Sequence, residues 1–426
     1  MMTWLLRAPR PQRQVLLLTW LSWVFGAMDT MFYALVLTPA MREVLTDSTG
    51  LSPPNEQIGW YGGLVLTIFL IGWGLGGVVF GRIADRTGRK PTLIVTLIVY
   101  AVATGATAWA SSWWELGFTR FITGLGIGGQ WAAGAALVAE TFPDEQRAEA
   151  ASFLQSAWGF GFFLAAAVHW LAKDWGWRGL FTIGFLPMCL VPFIRWWVRD
   201  SVRWLSIRAS SGMTRPSDGN GLREIFTPPL LRRTVVGTSL ALTAIFGLWG
   251  VTNWTPTLIQ ALPDIRSLPS AQATEAVSQA IMVLNVGALA GYFSFAPLAR
   301  RLGRRTAFAL MCGGSLVLVP ASFLPTHGYT TLLILLPVLG FFTKGIFGGF
   351  PLYLPELFAT RLRATGAGFC FNAGRLIASG SPFLTGVLVS ALGTFGRAAS
   401  VVALIYLLGL GTLPFAPETK DHPLPE

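Results

Sequence analysis

The 426-residue chain alternates long apolar runs with short polar connections. A helix that crosses a bilayer needs about 20 mostly apolar residues, because each residue rises only about 1.5 Å. Twelve runs reach this length and predict twelve transmembrane helices: 15–39, 58–80, 91–110, 116–139, 149–171, 179–198, 234–257, 275–298, 306–324, 331–353, 366–390 and 396–415. The longest polar stretch, 199–233, lies between the sixth and seventh runs. It predicts a linker that joins an N-terminal bundle, 1–198, to a C-terminal bundle, 234–426.

Composition supports a membrane protein and excludes a soluble one. Hydrophobic residues make up 53% of the chain and charged residues 12%, about half of the roughly 25% typical of soluble domains. The three cysteines lie in apolar runs, and the three histidines are scattered. We therefore expect no disulfide scaffold, metal site or other cofactor. A phosphate-binding loop of the GKS/T type is also missing from the sequence, so an ATP-driven pump is excluded within this chain and an enzyme is not expected.

The basic residues are distributed unevenly between the predicted connections. With the N-terminus in the cytoplasm, 23 of the 31 lysines and arginines fall in cytoplasmic segments, 5 fall outside and 3 lie within spans. This positive-inside bias predicts that both termini are cytoplasmic. The net charge of +11 then faces anionic lipid headgroups, and nucleic acid is not an expected partner. We expect a monomer in the plasma membrane, the inner membrane of a bacterium.

Two polar patterns in the first half recur in the second. The segment 81–90 recurs as 296–305. A glutamate followed by an arginine two helical turns later recurs at nearly the same separation along the chain: Glu140 with Arg147, and Glu356 with Arg363. Repeats in transporters place the substrate site at the interface of the repeated units, near the middle of the membrane.

The segment 81–90 matches the signature between helices two and three of the major facilitator superfamily, and 120–129 resembles its fourth-helix motif. The resemblance covers essentially the whole chain. It implies an all-α membrane protein of twelve transmembrane helices in two six-helix bundles, which transports by alternating access. Motifs around Asp29, Gln155 and Trp177 look most like proton symporters of sialate and monocarboxylates, although aromatic-acid and sugar porters share part of the pattern. Gln130 stands where relatives often carry glutamate, which leaves the number of coupled protons open.

Asp29 is the only acidic residue near the centre of a predicted span. An ionisable side chain there costs about 2.5–3.5 kcal/mol on insertion scales, so it needs a structural or functional reason. It could be a structural partner for a basic residue, or a carboxylate that binds and releases a proton during transport. Resemblance to sugar porters implies that Arg120 is its partner. We assign Asp29 and Arg120 to proton coupling.

Lys344 and Arg375 are the deep cations of the second half, roughly 14–20 Å from the nearest span end. No acid of that half lies deep enough to neutralise them. They predict an anion site in which Arg375 offers a planar fork to a carboxylate and Lys344 a point charge. Asn372 lies three residues before Arg375 and is expected to face the same way. Further candidates for substrate contact are Gln130, Gln155, Asn253, Trp254, Asn285 and Tyr33, each of which could instead hold helices together.

The polar segments at the predicted cytoplasmic face are expected to control opening and closing of the protein, separately from substrate binding. Resemblance to the superfamily implies that Asp85 latches the outward-open state by facing the positive N-terminus of span eleven near Thr365. It also implies a charge network that closes the inner gate, formed by Arg89, Glu140, Arg147, Glu356 and Arg363. Because Arg300 stands at the counterpart of Asp85, we expect only one such latch.

One buried acid in the first half and two buried cations in the second suit an anion carried together with a proton. We predict proton-coupled symport of a small organic anion, a monocarboxylate or a sialic or sugar acid. The alternative is proton-coupled transport of a neutral sugar or polyol, or of aromatic acids. A receptor or structural membrane protein is the remaining alternative.

Overall fold

The computed structural model describes residues 3–46, 54–210, 221–251, 255–324 and 328–425, and every regular element in these ranges is a helix. The first half contains α1 (Arg10–Leu45), α2 (Asn55–Thr87), α3 (Arg89–Ala106), α4 (Trp113–Thr141), α5 (Asp144–Leu171) and α6 (Gly176–Trp197). The second half contains α7 (Leu230–Gly250), α8 (Ser270–Leu302), α9 (Arg304–Phe323), α10 (Tyr329–Glu356), α11 (Arg363–Ala378 and Ser381–Leu392) and α12 (Phe395–Phe415). The predicted all-α fold is confirmed.

Eleven described helices are long and apolar enough to cross a membrane. The remaining predicted span, 366–390, is divided because α11 is interrupted at Ser379 and Gly380. Pro382 lacks an amide N–H, so the helical hydrogen bond to the carbonyl of Ala378 cannot form. The two segments of α11 together cover the predicted span, but each is shorter than the about 20 residues that cross a bilayer.

The described helix of the seventh predicted span, 234–257, starts earlier than predicted, at Leu230. Helix α7 ends at Gly250, and residues 252–254 lie outside the described residues. Among the described residues, the short helix Thr3–Arg7 precedes α1. Four other short helices lie in connections between the long ones: Val202–Ser210, Gly221–Glu224, Thr255–Ala261 and Pro263–Arg266.

Glycines bring pairs of helices into close contact at corresponding places of the two halves. Gly72 of α2 lies against the backbone carbonyl of Phe121 in α4, and a Cβ atom there would overlap that carbonyl. Gly287 of α8 lies in the same way against the carbonyl of Pro337 in α10. Such small residues let helix backbones approach closely, and the resulting van der Waals packing is one of the forces that hold helices together in lipid.

Both ends of the described chain lie at one face of the molecule. Gln12, near the start of α1, donates a hydrogen bond to the carbonyl of Thr141 at the end of α4. Near the other terminus, the hydroxyl of Thr360 donates to the carbonyl of Pro425. We call this the terminal face and the other the opposite face. The halves meet through α2 with α11, α4 with α11, and α5 with α8.

Candidate substrate site

A cavity of about 220 Å³ lies between the two halves and is lined by side chains from both. A cavity needs only about 10–15 Å³ on this measure to hold one water molecule, so the space suits a small organic molecule. The first half contributes Trp23, Thr30, Met31, Ala34, Leu66, Trp73, Gln155, Trp158 and Phe162. The second half contributes Ile245, Leu248, Trp249, Tyr292, Lys344, Phe347, Phe371 and Arg375.

Lys344 and Arg375 are the charged residues among the described lining of this cavity, and both are cations. The Nζ atom of Lys344 donates a hydrogen bond to Oδ1 of Asn285 at 2.8 Å. The Arg375 guanidinium lies over the indole of Trp73, with its Cζ atom 3.7 Å from the ring centroid. Its Nη1 atom is buried without a hydrogen-bond partner among the described residues. Within the described ranges neither cation forms an ion pair, so the cavity holds two unneutralised positive charges.

Aromatic rings form most of the remaining wall. The indoles of Trp23, Trp73 and Trp158 contact one another, with ring centroids 5.5–6.3 Å apart. Phe371 lies 5.0 Å from the Arg375 guanidinium on another side. Aromatic faces both attract a cation and offer flat apolar contact area. The arrangement therefore holds the guanidinium in place and leaves room for an anion with an apolar body.

Three residues predicted to contact substrate face other parts of the protein. The hydroxyl of Tyr33 donates to the carbonyl of Gly62 at 2.9 Å. Gln130 is buried in α4 beside Gly26 of α1. Asn372 donates to the carbonyl of Gly368 and packs against Gly77 of α2. The described lining of the cavity includes none of Tyr33, Gln130 and Asn372.

The direction of Asn372 has a simple geometric reason. Residues three apart on a helix of 3.6 residues per turn point about 60° away from each other. The long side chain of Arg375 reaches the cavity from α11, whereas the short side chain of Asn372 ends in the interface with α2. The expectation that both face the cavity is therefore wrong.

The remaining candidates divide into three groups. Gln155 lines the cavity, and its Oε1 atom is buried without a partner among the described residues. Asn285 does not line the cavity but holds Lys344. Asn253 and Trp254 lie outside the described residues. The aromatic wall of the cavity was not predicted from the sequence. A signal was present, because Trp73 and Trp158 lie well inside apolar runs. A tryptophan there must bury its indole N–H group in the membrane, where polar groups are costly.

The buried acid Asp29 lies next to the cavity and not in its wall. Its two carboxylate oxygens are each 3.3 Å from Nη1 of Arg120, and both side chains are fully enclosed. Nη2 of Arg120 donates to the hydroxyls of Thr107 and Thr123 at 2.9 and 3.0 Å. Thr30, the next residue of α1, lines the cavity. Helix α1 thus carries the buried carboxylate on one side and part of the cavity wall on the other.

A buried network of ion pairs joins the halves at the terminal face. Glu140 of α4 accepts from Arg89 at 3.0 Å and from Arg363 of the second half at 2.6 Å. The corresponding Glu356 pairs with Arg304 at 2.9 Å and lies 3.5 Å from Arg147 of the first half. The network repeats across the two halves, as the recurrence of the glutamate–arginine pattern predicts.

Asp85 lies at the N-terminus of α11, the position that the resemblance implied. Its carboxylate accepts the backbone N–H groups of Ala364 at 3.1 Å and Thr365 at 2.7 Å. It also lies 3.1 Å from Arg89. These contacts and the ion pairs between the halves, as far as the structure describes them, all lie at the terminal face. The molecule is therefore closed at that face in this conformation.

Replacing Asp85 by asparagine should slow transport and leave substrate binding almost unchanged. The amide retains a hydrogen-bond acceptor but loses the charge that interacts with the helix N-terminus, a contribution of about 0.3–2 kcal/mol. Initial rates of uptake in proteoliposomes and the substrate Kd check this directly. Glu115→Gln, at the start of α4 and with its described hydrogen bonds inside its own half, is the control. A fall in affinity of more than about tenfold would show that Asp85 has a different role.

Two helical bundles with a cavity between them that holds two cations are an arrangement typical of membrane transporters. The chain belongs to the Major Facilitator Superfamily, whose family model matches residues 18–382, and it is therefore a transporter and not an enzyme. It is a multi-pass integral membrane protein. Its relatives include the niacin transporter NiaP of Acinetobacter baylyi, 28% identical over 417 residues that cover 91% of this chain and 89% of NiaP. The sialic acid transporter NanX of Escherichia coli is also 28% identical, over 388 residues that cover 89% of this chain and 88% of NanX.

The fold is also that of a solved superfamily member. The proton:xylose symporter XylE, in a structure bound to 6-bromo-6-deoxy-D-glucose, superposes with a TM-score of 0.78. The match covers 97% of both chains at 20% sequence identity, a level that shows the shared fold alone.

Proposed function

We propose that this transporter is a proton-coupled symporter of a small organic anion. The observation that carries the proposal is the pair of cations, Lys344 and Arg375, in a cavity whose described lining contains no acid. Removing a charge from water without a partner costs several kcal/mol, and a bound carboxylate offsets that cost. A cationic substrate would be repelled by the same charges.

The proton carrier in this proposal is Asp29. When its carboxylate is protonated, the ion pair with Arg120 loses most of its attraction, and α1 is freed to move relative to α4. Because α1 also lines the cavity through Thr30 and Met31, this movement links protonation to the substrate site. A monoanion that moves with one proton carries no net charge across the membrane.

The cavity wall is mostly aromatic and apolar, so a monocarboxylate with a flat, apolar body suits it better than a sugar acid with many hydroxyl groups. The lining contains only three uncharged polar side chains other than tryptophan among its described residues: Thr30, Gln155 and Tyr292. A buried hydroxyl without a hydrogen-bond partner costs about 1–3 kcal/mol, and a sugar acid would bring several. NiaP and NanX are named for substrates of both kinds, and the aromatic wall is the feature that favours the flat one.

Transport would occur by rocking of the bundles 1–198 and 234–426 about this cavity, with 199–233 as the linker. The terminal face is placed in the cytoplasm, because the basic segments of the chain cluster there. In this arrangement Arg375, Lys344 and Gln155 contact the substrate, and Asn285 orients Lys344. The protein is assigned to a bacterial inner membrane as a monomer.

Pairs of ligands that differ only in charge test the anion site. Nicotinate and benzoate should raise the thermal stability of the purified protein, by about 2.7 kcal/mol at one hundred times Kd. Nicotinamide and benzamide, which have the same shape without the charge, should have no effect. Uptake of the labelled acids into proteoliposomes should agree.

Xylose and N-acetylneuraminate test separately the two parts of the proposal, the anion site and the flat apolar body of the substrate. Equal stabilisation by the amides, or by xylose, would overturn the anion site. Stabilisation by N-acetylneuraminate without stabilisation by benzoate would retain the anion site and overturn the flat apolar body.

A further inference from the structure

The two halves are related position by position at the terminal face, which shows where a second latch would lie. In the repeat that relates 81–90 to 296–305, Asp85 corresponds to Arg300. In the repeat that relates Glu140 to Glu356, Glu149 corresponds to Thr365. The same correspondence relates the pair Arg89–Glu140 to the pair Arg304–Glu356, which have almost equal distances of 3.0 and 2.9 Å. In this region, single residues of the first half therefore correspond to single residues of the second half.

Arg300 of α8 forms an ion pair with Glu149 of α5, across the boundary between the halves. This is the position that corresponds to the contact of Asp85 with the N-terminus of α11. On one side of the molecule a carboxylate of α2 accepts backbone N–H groups of α11. On the other side a guanidinium of α8 donates to a carboxylate of α5, so the charges are reversed.

The surroundings of Glu149 strengthen this pair. Its side chain is only 20% exposed and forms part of a second cavity between α5 and α8, which is otherwise lined mainly by Trp4, Phe153, Phe293, Ala296 and Pro297. Apolar surroundings lower the local dielectric constant, and an ion pair is then worth more than one in water. The side chain of Arg300 is 52% exposed, so solvent screens the pair in part, and its contribution lies between that of a buried pair and that of an exposed pair.

We propose that Arg300 and Glu149 form a second latch, which holds the terminal face closed together with Asp85. The inference rests on alternating access between the two halves and not on the identity of the substrate. This proposal replaces the expectation of a single latch. Arg300 stands at the position that corresponds to the acid Asp85, and its partner on α5 is the acid Glu149. Opening of the terminal face then requires both the α2–α11 and the α5–α8 contacts to break.

A charge-swap experiment tests the latch. Arg300→Glu places two carboxylates together, and Glu149→Arg places two guanidinium groups together, so each single variant should favour opening of the terminal face. The double variant restores an ion pair of reversed polarity and should recover the closed population. We expect each single variant to change the ratio of the two conformations about fivefold or more, and the double variant to return it to within about twofold of the wild type.

Spin labels at the opposite face report the conformation without any substrate. Suitable positions are Trp60 of α2 and Leu324 after α9, both more than half exposed. The background chain carries Cys189→Ser, because Cys189 is exposed and the other cysteines are buried. Opening of the terminal face brings the opposite ends of the halves together, so the single variants should increase the population with the shorter label distance.

Arg301→Glu is the matched control, since it makes the same change of charge one residue further along α8 and is also exposed. It should leave the distance distribution unchanged. The milder variants Arg300→Gln and Glu149→Gln, which remove the pair without creating repulsion, should shift the distribution in the same direction if charge reversal prevents folding. An unchanged distribution in these two variants, or a double variant no closer to wild type than the single ones, would overturn the second latch.

Discussion

Asp29→Asn should abolish proton-driven accumulation of the substrate while exchange of substrate for substrate continues. Asparagine mimics the protonated carboxylate in shape and charge but cannot release a proton. A gradient of one pH unit is worth about 1.4 kcal/mol, which supports about tenfold accumulation when one proton moves with each anion. The wild type should approach that ratio in proteoliposomes, and the variant should only equilibrate its substrate.

The pH dependence of uptake gives a second measurement of the same prediction. Wild-type uptake should rise as the external pH falls, because protonation of Asp29 precedes inward movement. The variant should show a flat profile, since it has lost the titrating group. Glu43→Gln is the control: it removes an exposed carboxylate from the same helix, one that pairs with Arg178 near the opposite face, and it should keep the wild-type profile. Continued accumulation by Asp29→Asn would place the proton on another group.

The membrane potential distinguishes one proton from two. One uncompensated charge moving through 100 mV is worth about 2.3 kcal/mol. A monoanion with one proton is neutral, so uptake should respond to a pH gradient and hardly to a potential imposed with potassium and valinomycin. Gln130 is not ionisable and lies beside α1, so it supplies no second proton site there.

The second large effect is expected at Arg375. Arg375→Gln should lower the affinity for the carboxylate by roughly 10- to 100-fold, because a hydrogen bond to a charged group contributes about 1.5–3 kcal/mol. Arg375→Lys should restore only part of the loss. A lysine ammonium lacks the planar fork that binds a carboxylate through two donors, and it stacks less well on Trp73.

Isothermal titration with the acid that gives the largest thermal shift measures this affinity. Arg397→Gln, which removes an exposed arginine from α12, should bind the acid as the wild type does. The matching variants of Lys344 test the other cation of the cavity independently. Wild-type affinity in both Arg375 variants would remove this residue from the site, and the same result at Lys344 would leave no cationic site in the cavity.

The sequence determined the fold because lipid leaves few choices to a backbone. Every N–H and C=O group inside a bilayer needs a partner, so an apolar run of sufficient length must become a helix. The exception in α11 lies at Ser379 and Gly380, just before Pro382, which cannot donate the hydrogen bond that would continue the helix. The nearly constant separation between the repeated motifs likewise fixed how the halves correspond.

The sequence also located the charged residues of the terminal face. Asp85, Glu140 and Glu356 lie at helix ends in short motifs, where the spacing of a few residues fixes which groups can meet. The structure places Asp85 at the N-terminus of α11, as the resemblance implied, and brings Glu140 and Glu356 each beside arginines of both halves. The depth of Asp29, Lys344 and Arg375 within their spans could also be predicted from the sequence, because depth follows from the residue count and the helical rise.

The direction of each side chain inside the membrane was decided only by the tertiary structure. A helix buried among other helices is apolar on most sides, so its pattern does not show which face lines a cavity and which meets a neighbour. Asn372, Gln130 and Tyr33 therefore proved to lie in helix contacts, whereas Trp73 and Phe371 surround Arg375. The pairing of Arg300 with Glu149 joins residues 151 positions apart, and only the packing of α5 against α8 brings these charges together.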